Sequence, residues 1–212
     1  MPLQNRVTPE GVLIETPARG TVFGNRGGCF HDDERRLTHR RWVTKQWICC
    51  VLSFKGRRRT VMTPNRYTEL FFLDEATAFS AGHRPCFECR RADATRFAQA
   101  WARAFAQDGH GERARAPAMD AVLHAERLGP DRRQRTHERA LGALPQGAFI
   151  HHDDGSWLIA NDALWPWAPA GYGAPSSARS LGLTAATPVR VLTPSCTLAV
   201  MAEGYVPSFT LP

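Results

Sequence analysis

The tightest constraint on this chain is a pair of cysteines two residues apart, in Cys86-Phe87-Glu88-Cys89. A two-residue spacer lets both thiolates turn toward one cation, and two thiolates are half of a tetrahedral zinc shell. The pair therefore requires partners from elsewhere in the chain and a fold that delivers them. Six cysteines are present: Cys29, Cys49, Cys50, Cys86, Cys89 and Cys196. The opening Met1-Pro2-Leu3-Gln4-Asn5-Arg6 has no apolar leader, so the expected compartment is the cytoplasm. Thiols there are metal ligands, catalytic groups or buried fillers rather than disulfides. No apolar run approaches the roughly 20 residues that a membrane helix needs. Cys49-Cys50 lies in the strand-like run Trp47 to Phe54, and adjacent strand residues face opposite sides, so one of the two is expected to point at the metal. Cys29, His31 and His83 are the other candidates.

The 212 residues, 43% hydrophobic, suffice for one large domain or two small ones. Val12-Leu13-Ile14, Thr21-Val22-Phe23, Trp47 to Phe54 and the aromatic-rich Tyr67 to Leu73 read as strands. Asp74 can cap a short helix from Glu75 to Ala81, stopped by Gly82. Asp93 can cap a second helix to about Gln107, with Phe97, Trp101 and Phe105 in one buried stripe. Helical patterns follow near 119–128 and near 131–141. Strands are then expected at Ala148-Phe149-Ile150, Ser156 to Ile159, Val189 to Leu192 and Thr197 to Val200, with Leu164 to Tyr172 as a rigid aromatic loop. The expected fold is α+β: a zinc-clamped N-terminal domain of short strands and two helices (residues 1–108), a helical connector (109–145) and a small β-rich C-terminal module (146–212).

The segment Phe71-Phe72-Leu73-Asp74-Glu75-Ala76-Thr77-Ala78-Phe79-Ser80-Ala81-Gly82-His83-Arg84-Pro85-Cys86-Phe87-Glu88-Cys89 resembles the strand, helix and Gly-aromatic-Arg-Pro-Cys-x-x-Cys stretch of the Ada-type metal-binding domain. That family repairs DNA methylphosphotriesters by moving the methyl group to a zinc-bound cysteine. Gly24-Asn25 and Phe30-His31 are similar to the upstream half of the same finger where it stands beside some nuclease domains. The resemblance is specific over about residues 67–93 and implies Zn2+, DNA contact and repair. The family's first ligand pair is separated by three residues, and after His31 that spacing falls on Arg35, which cannot ligate. The missing ligand must then come from the neighbouring strand. The expected shell is His31, Cys50, Cys86 and Cys89, with Cys29 or Cys49 as substitutes. Because the methyl-accepting cysteine belongs to that first pair, the transfer reaction itself does not carry over.

Charge points to an anionic partner. The net charge is +7, and of 27 cations only Lys45 and Lys55 are lysine. From Arg35 to Arg59 there are nine Lys or Arg and no Asp or Glu. Arginine forks suit phosphate, and Trp42, Trp47 and Phe54 in the same stretch can stack on bases. Arg57, Arg58 and Arg59 are the expected phosphate grip on DNA or RNA, with Arg84 and Arg90 beside the metal. Two further readings remain open. A phosphoesterase or nuclease would use the clusters His31-Asp32 and His151-His152-Asp153-Asp154 to hold hard metals. A scaffold would use zinc only to hold itself together.

Overall fold

In the computed structural model, which describes residues 1–212 apart from Arg58, Arg59 and His110, the chain has an α+β fold with two six-stranded sheets. The first sheet contains β1 (Gln4–Val7), β2 (Leu13–Glu15), β3 (Val22–Asn25), β4 (Ile48–Val51), β5 (Leu70–Phe72) and β6 (Arg84–Pro85), in the order β2-β1-β5-β3-β4-β6. Helix α1 (Glu75–Ser80) follows β5, and α2 (Arg91–Ala104) and α3 (Ala116–Arg127) follow β6. The second sheet contains β7 (His137–Ala140), β8 (Phe149–His152), β9 (Gly155–Ala160), β10 (Ala163–Ala168), β11 (Gly171–Tyr172) and β12 (Pro188–Val191), in the order β11-β10-β9-β8-β12-β7. Helix α4 (Ser195–Ala202) follows β12. None of the described helices is long and apolar enough to cross a membrane.

The first sheet has two unlike faces. Val22, Gly24, Cys49, Leu70 and Phe72 are buried on one side, where the helices pack. Phe23, Asn25, Ile48 and Phe71, on the other side, are only half-buried. The covered face holds the main core, in which Phe79, Phe97 and Trp101 meet Met119 and Leu123 of α3 and Val200 and Tyr205 from the chain's end. Asp74 caps α1, its Oδ1 accepting the Thr77 N–H at 2.8 Å. Its other oxygen accepts the Tyr172 hydroxyl at 2.6 Å, which ties the second sheet to this helix start.

Four expectations are corrected. Residues 131–141 are not helical: Leu128 bridges Gln134 and the chain enters β7, whose alternating charged residues pair with β12 at the sheet edge. Thr197 to Val200 lies inside α4, because the run is apolar all round and is sandwiched against α2 and α3 rather than paired in a sheet. Leu164 to Tyr172 is a hairpin of β10 and β11. Asp93 sits inside the first turn of α2 rather than capping it; the cap residue is Arg90, and Asp93 pairs with Arg90 and Arg96. The tight hairpins of the second sheet use residues with positive φ, Asp153 at 49° after β8, and Asn161 and Asp162 at 52° and 57° after β9. Asn and Asp tolerate that conformation and are favoured in such two-residue turns.

Candidate metal centre

Three sulfurs converge at the edge of the first sheet. Those of Cys50, Cys86 and Cys89 all lie within 4.8 Å of one another. Local structure explains the convergence. β6 runs parallel to β4, pairing Ile48 with Arg84 and Cys49 with Pro85. Proline is tolerated there because β6 is the edge strand, where its missing N–H breaks no ladder. The Cys86 N–H bonds the Cys49 carbonyl at 3.0 Å, and the chain then turns through Phe87 and Glu88, with the Arg90 N–H closing on the Cys86 carbonyl at 3.0 Å. This turn sets Cys86 and Cys89 against Cys50.

Alternation along β4 separates the adjacent cysteines. Cys50 faces the half-open side, whereas Cys49 is fully buried on the helical side and receives the Arg90 guanidinium at 3.3 Å. Burial, reinforced by Glu75, pushes the Cys49 thiol up and keeps it protonated. The three clustered thiols behave differently from one another. The Cys50 thiol donates to Cys86, which with the backbone N–H groups of the turn brings Cys86 down to about 5, although burial opposes it. Cys89 is lowered for the same first reason and by the backbone of Val51. Cys50 is raised, because its proton is shared with the other two sulfurs and it is also desolvated. Proton removal from this trio is thus made easier at Cys86 and Cys89, while Cys50 holds the last proton.

The cluster lines a cleft of about 290 Å³ on the half-open sheet face. Phe23, Tyr67 and Phe71 give it an aromatic wall, and Glu69, Glu88 and Arg57 its charged groups. Glu69 is buried and its carboxylate accepts the Met62 N–H at 2.7 Å. Arg57 pairs with Glu88 at 2.9 Å beside the mouth, its guanidinium 5.4 Å from the Phe54 ring.

His31 falls outside the cluster. Its Nδ1 lies 2.8 Å from Thr68 Oγ1 and its Nε2 3.3 Å from the Thr63 carbonyl, and the chain around it folds back on β5 through Phe30 and Thr68. Cys29 stays with it, 3.6 Å from the ring. Residues 29–31 therefore stay with Thr63 and Thr68 and do not join the three sulfurs. The cations expected near the metal are also committed elsewhere. Arg84 is 1% exposed and forms a two-pronged pair with Asp120, at 2.9 and 2.8 Å. Arg90 pairs with Glu75 and Asp93. Neither guanidinium is free for phosphate. Arg57 is half-exposed but paired with Glu88, and Arg58 and Arg59 lie outside the described residues.

The His-Asp clusters do not gather. Among the described residues the cysteine trio is the one group of three or more His, Cys, Asp or Glu with metal-binding geometry. Asp32 accepts the Arg36 guanidinium, and Asp153 is the turn residue already noted. Cys196 is a buried residue at the start of α4, and its N–H bonds Glu126 at 2.7 Å. The aromatic wall of the cleft was missed from sequence; the alternation of Phe23 with Gly24 and of Phe71 with Phe72 was its signal. Comparison with protein-family models, with curated proteins and with solved structures finds no match.

Proposed function

We propose that this is a zinc protein in which Cys50, Cys86 and Cys89 hold the ion in the wall of the aromatic cleft, and that it contacts nucleic acid. The convergence of the three sulfurs carries the reading. Tetrahedral zinc with Zn–S bonds of about 2.3 Å needs sulfurs about 3.8 Å apart, which a trio within 4.8 Å reaches by a small inward movement. All-thiolate donors suit zinc over magnesium or calcium. Held by Cys50, Cys86 and Cys89, zinc would cross-link β4 to the Cys-x-x-Cys turn and would supply Lewis acidity. The chain's own residues do the rest. Backbone N–H groups of the turn offset thiolate charge at Cys86, and the backbone of Val51 in β4 does so at Cys89. Cys49 and His31 are held away by Arg90 and Thr68, so neither closes the shell.

The arrangement parallels the Ada-type finger in its Cys-x-x-Cys half, and we read the protein as a variant of that site whose upstream ligand has moved to a strand. Nucleic-acid contact, in repair or processing, rests on the net charge of +7 and on the exposed cations between Arg35 and Lys55.

The test is metal content by mass spectrometry of the purified protein. One zinc per chain is expected, lost in Cys50→Ser, Cys86→Ser and Cys89→Ser and kept in His31→Ala. A metal-free wild type, or retention in all three cysteine variants, sinks the site. For nucleic acid, anisotropy with a labelled duplex should show binding that weakens steeply with salt; no binding at low salt removes that half of the reading.

A further inference from the structure

A cavity of about 540 Å³ lies on the other face of the first sheet. Alternation separates it from the cysteine cleft: Ile48 and Cys50 line the cleft, whereas Trp47 and Arg26 line the cavity. The second sheet contributes Arg190 to its wall. Its charge is one-sided. Arg26, Arg41, Arg127, Arg132, Arg133 and Arg190 line it against a single carboxylate, Glu10. Glu10 is already engaged, accepting the Ser156 hydroxyl and lying 3.9 Å from His151 Nδ1.

Two of these arginines are interior. Arg26 is 3% exposed and Arg127 1%. Their guanidinium carbons stand 4.0 and 3.9 Å from the Trp47 ring centroid. Their hydrogen bonds go to neutral acceptors: Arg26 to the Gly11 carbonyl and His83, Arg127 to the Gly82 and Lys45 carbonyls and His124. No ion pair forms at either among the described residues. Burial pulls both guanidiniums down to about 9; at Arg26 the neighbouring Arg127 and Arg41 add to it, whereas at Arg127 the nearby Asp120 carboxylate opposes it. Buried cations without an ion-pair partner are costly, and an anion entering the cavity would offset that cost.

Two wall atoms are left over. Arg127 Nε is buried without an acceptor and Gln134 Oε1 without a donor. The orientation of the Gln134 amide is fixed, because its nitrogen donates to the Ser80 and Leu192 carbonyls at 2.6 and 2.8 Å. Gly11 stands beside this wall, where a Cβ would lie 3.7 Å from Arg26 Nη2 and 3.9 Å from Gln134 Oε1. A ligand reaching this wall would bring negative charge to the arginines and, through a hydroxyl or amine, a donor for Gln134.

We propose that the cavity binds a small phosphate-bearing molecule with a planar ring, of the nucleoside-monophosphate kind. A phosphate dianion meets several guanidinium forks at once, whereas one carboxylate leaves most of them unanswered. Sugar hydroxyls supply the donor that Gln134 lacks. Trp42 is half-buried, with the Arg132 guanidinium over its ring at 5.7 Å, and a planar ring would stack there in place of Arg132. The size falls within the roughly 300–1,000 Å³ of small-molecule sites. The proposal is independent of the metal centre; it shares Arg41 with the nucleic-acid reading, from which the duplex probe below separates it.

Calorimetric titration of the wild-type protein at low salt tests it, with adenosine 5′-monophosphate, inorganic pyrophosphate and uncharged adenosine as probes. The monophosphate and pyrophosphate should bind, and adenosine should bind at least about tenfold more weakly than the monophosphate. Arg132→Ala/Arg133→Ala removes two exposed rim cations without touching the buried pair. It should weaken the monophosphate at least about tenfold, while the charge-matched Arg113→Ala/Arg179→Ala, remote from the cavity, should leave it within about twofold. Equal loss in the two double variants, adenosine binding as tightly as its phosphate, or a DNA duplex binding where neither phosphate probe does would each overturn the assignment.

Discussion

Replacing Arg84 by methionine tests whether the arginine that leads into the Cys-x-x-Cys turn is a structural element or a phosphate contact. Its guanidinium meets both oxygens of Asp120, at 2.9 and 2.8 Å, and donates to the Pro85 carbonyl at 3.1 Å. The side chains are 1% and 9% exposed, so the pair is closed to water and joins β6, which leads into Cys86, to α3. Removing one member leaves the other charged, desolvated and unpaired, which costs about 3–5 kcal/mol. Arg84→Met and Asp120→Leu should each lose that much. For a chain of this size about 2–4 °C accompanies each kcal/mol, so the melting temperature should fall by about 6–20 °C. The double variant Arg84→Met/Asp120→Leu strands no charge, and its loss should shrink to about 1 kcal/mol or less. Urea unfolding followed by tryptophan fluorescence, with zinc at one fixed saturating concentration, reads all three. Single variants that cost less than about 1 kcal/mol and simply add in the double would refute the closed-pair argument. An Arg84→Met protein of wild-type stability that had lost nucleic-acid binding would instead restore Arg84 to the role its sequence suggests.

Two further predictions follow from the same packing. Burial, then Arg26 and Arg127, hold the His83 imidazole well below its usual 6.5. Above about pH 6.5 both folded and unfolded His83 are neutral; below it only the unfolded chain takes the proton, so stability is lost as pH falls, at up to about 1.4 kcal/mol per pH unit. The difference in unfolding free energy between wild type and His83→Phe should therefore shift against the wild type from pH 7.5 to 5.5, and a pH-independent difference would show the imidazole to be free to protonate. Gly24 lies where a Cβ would sit 2.3 Å from the Ile48 carbonyl oxygen and 2.8 Å from the Phe72 ring. Gly24→Ala should cost at least about 1–3 kcal/mol and weaken zinc retention by displacing β4, while Gly155→Ala, with its nearest neighbour at 3.5 Å, should do neither.

What could be read from the sequence was what depends on short-range rules. The Asp74 cap, the stripe of Phe97 and Trp101, and the opposite facing of Cys49 and Cys50 each follow from a spacing of one to four residues. Residues 195–202 escaped because this octamer, apolar but for Ser195 and Thr197, has no period by which to tell helix from strand; its place between α2 and α3 decides. Residues 131–141 escaped because their charges mimic an exposed helix, while their strand state depends on pairing with β12, some fifty residues downstream.

The same distinction explains the arginines. A run such as Arg57-Arg58-Arg59 is conspicuous in sequence because its charges are adjacent, yet adjacency favours solvent and local carboxylates, and Arg57 pairs with Glu88. Arg26, Arg127 and Arg190 are far apart along the chain and share no motif, but β3, α3 and the second sheet bring them around one cavity. Two of these cations are buried deeply enough that water cannot neutralise the cost of holding them. Burial without a partner therefore says more about ligand binding than the density of charge along the sequence. By that criterion the phosphate-seeking surface of this protein lies around Trp47, on the opposite side of the sheet from the thiolates.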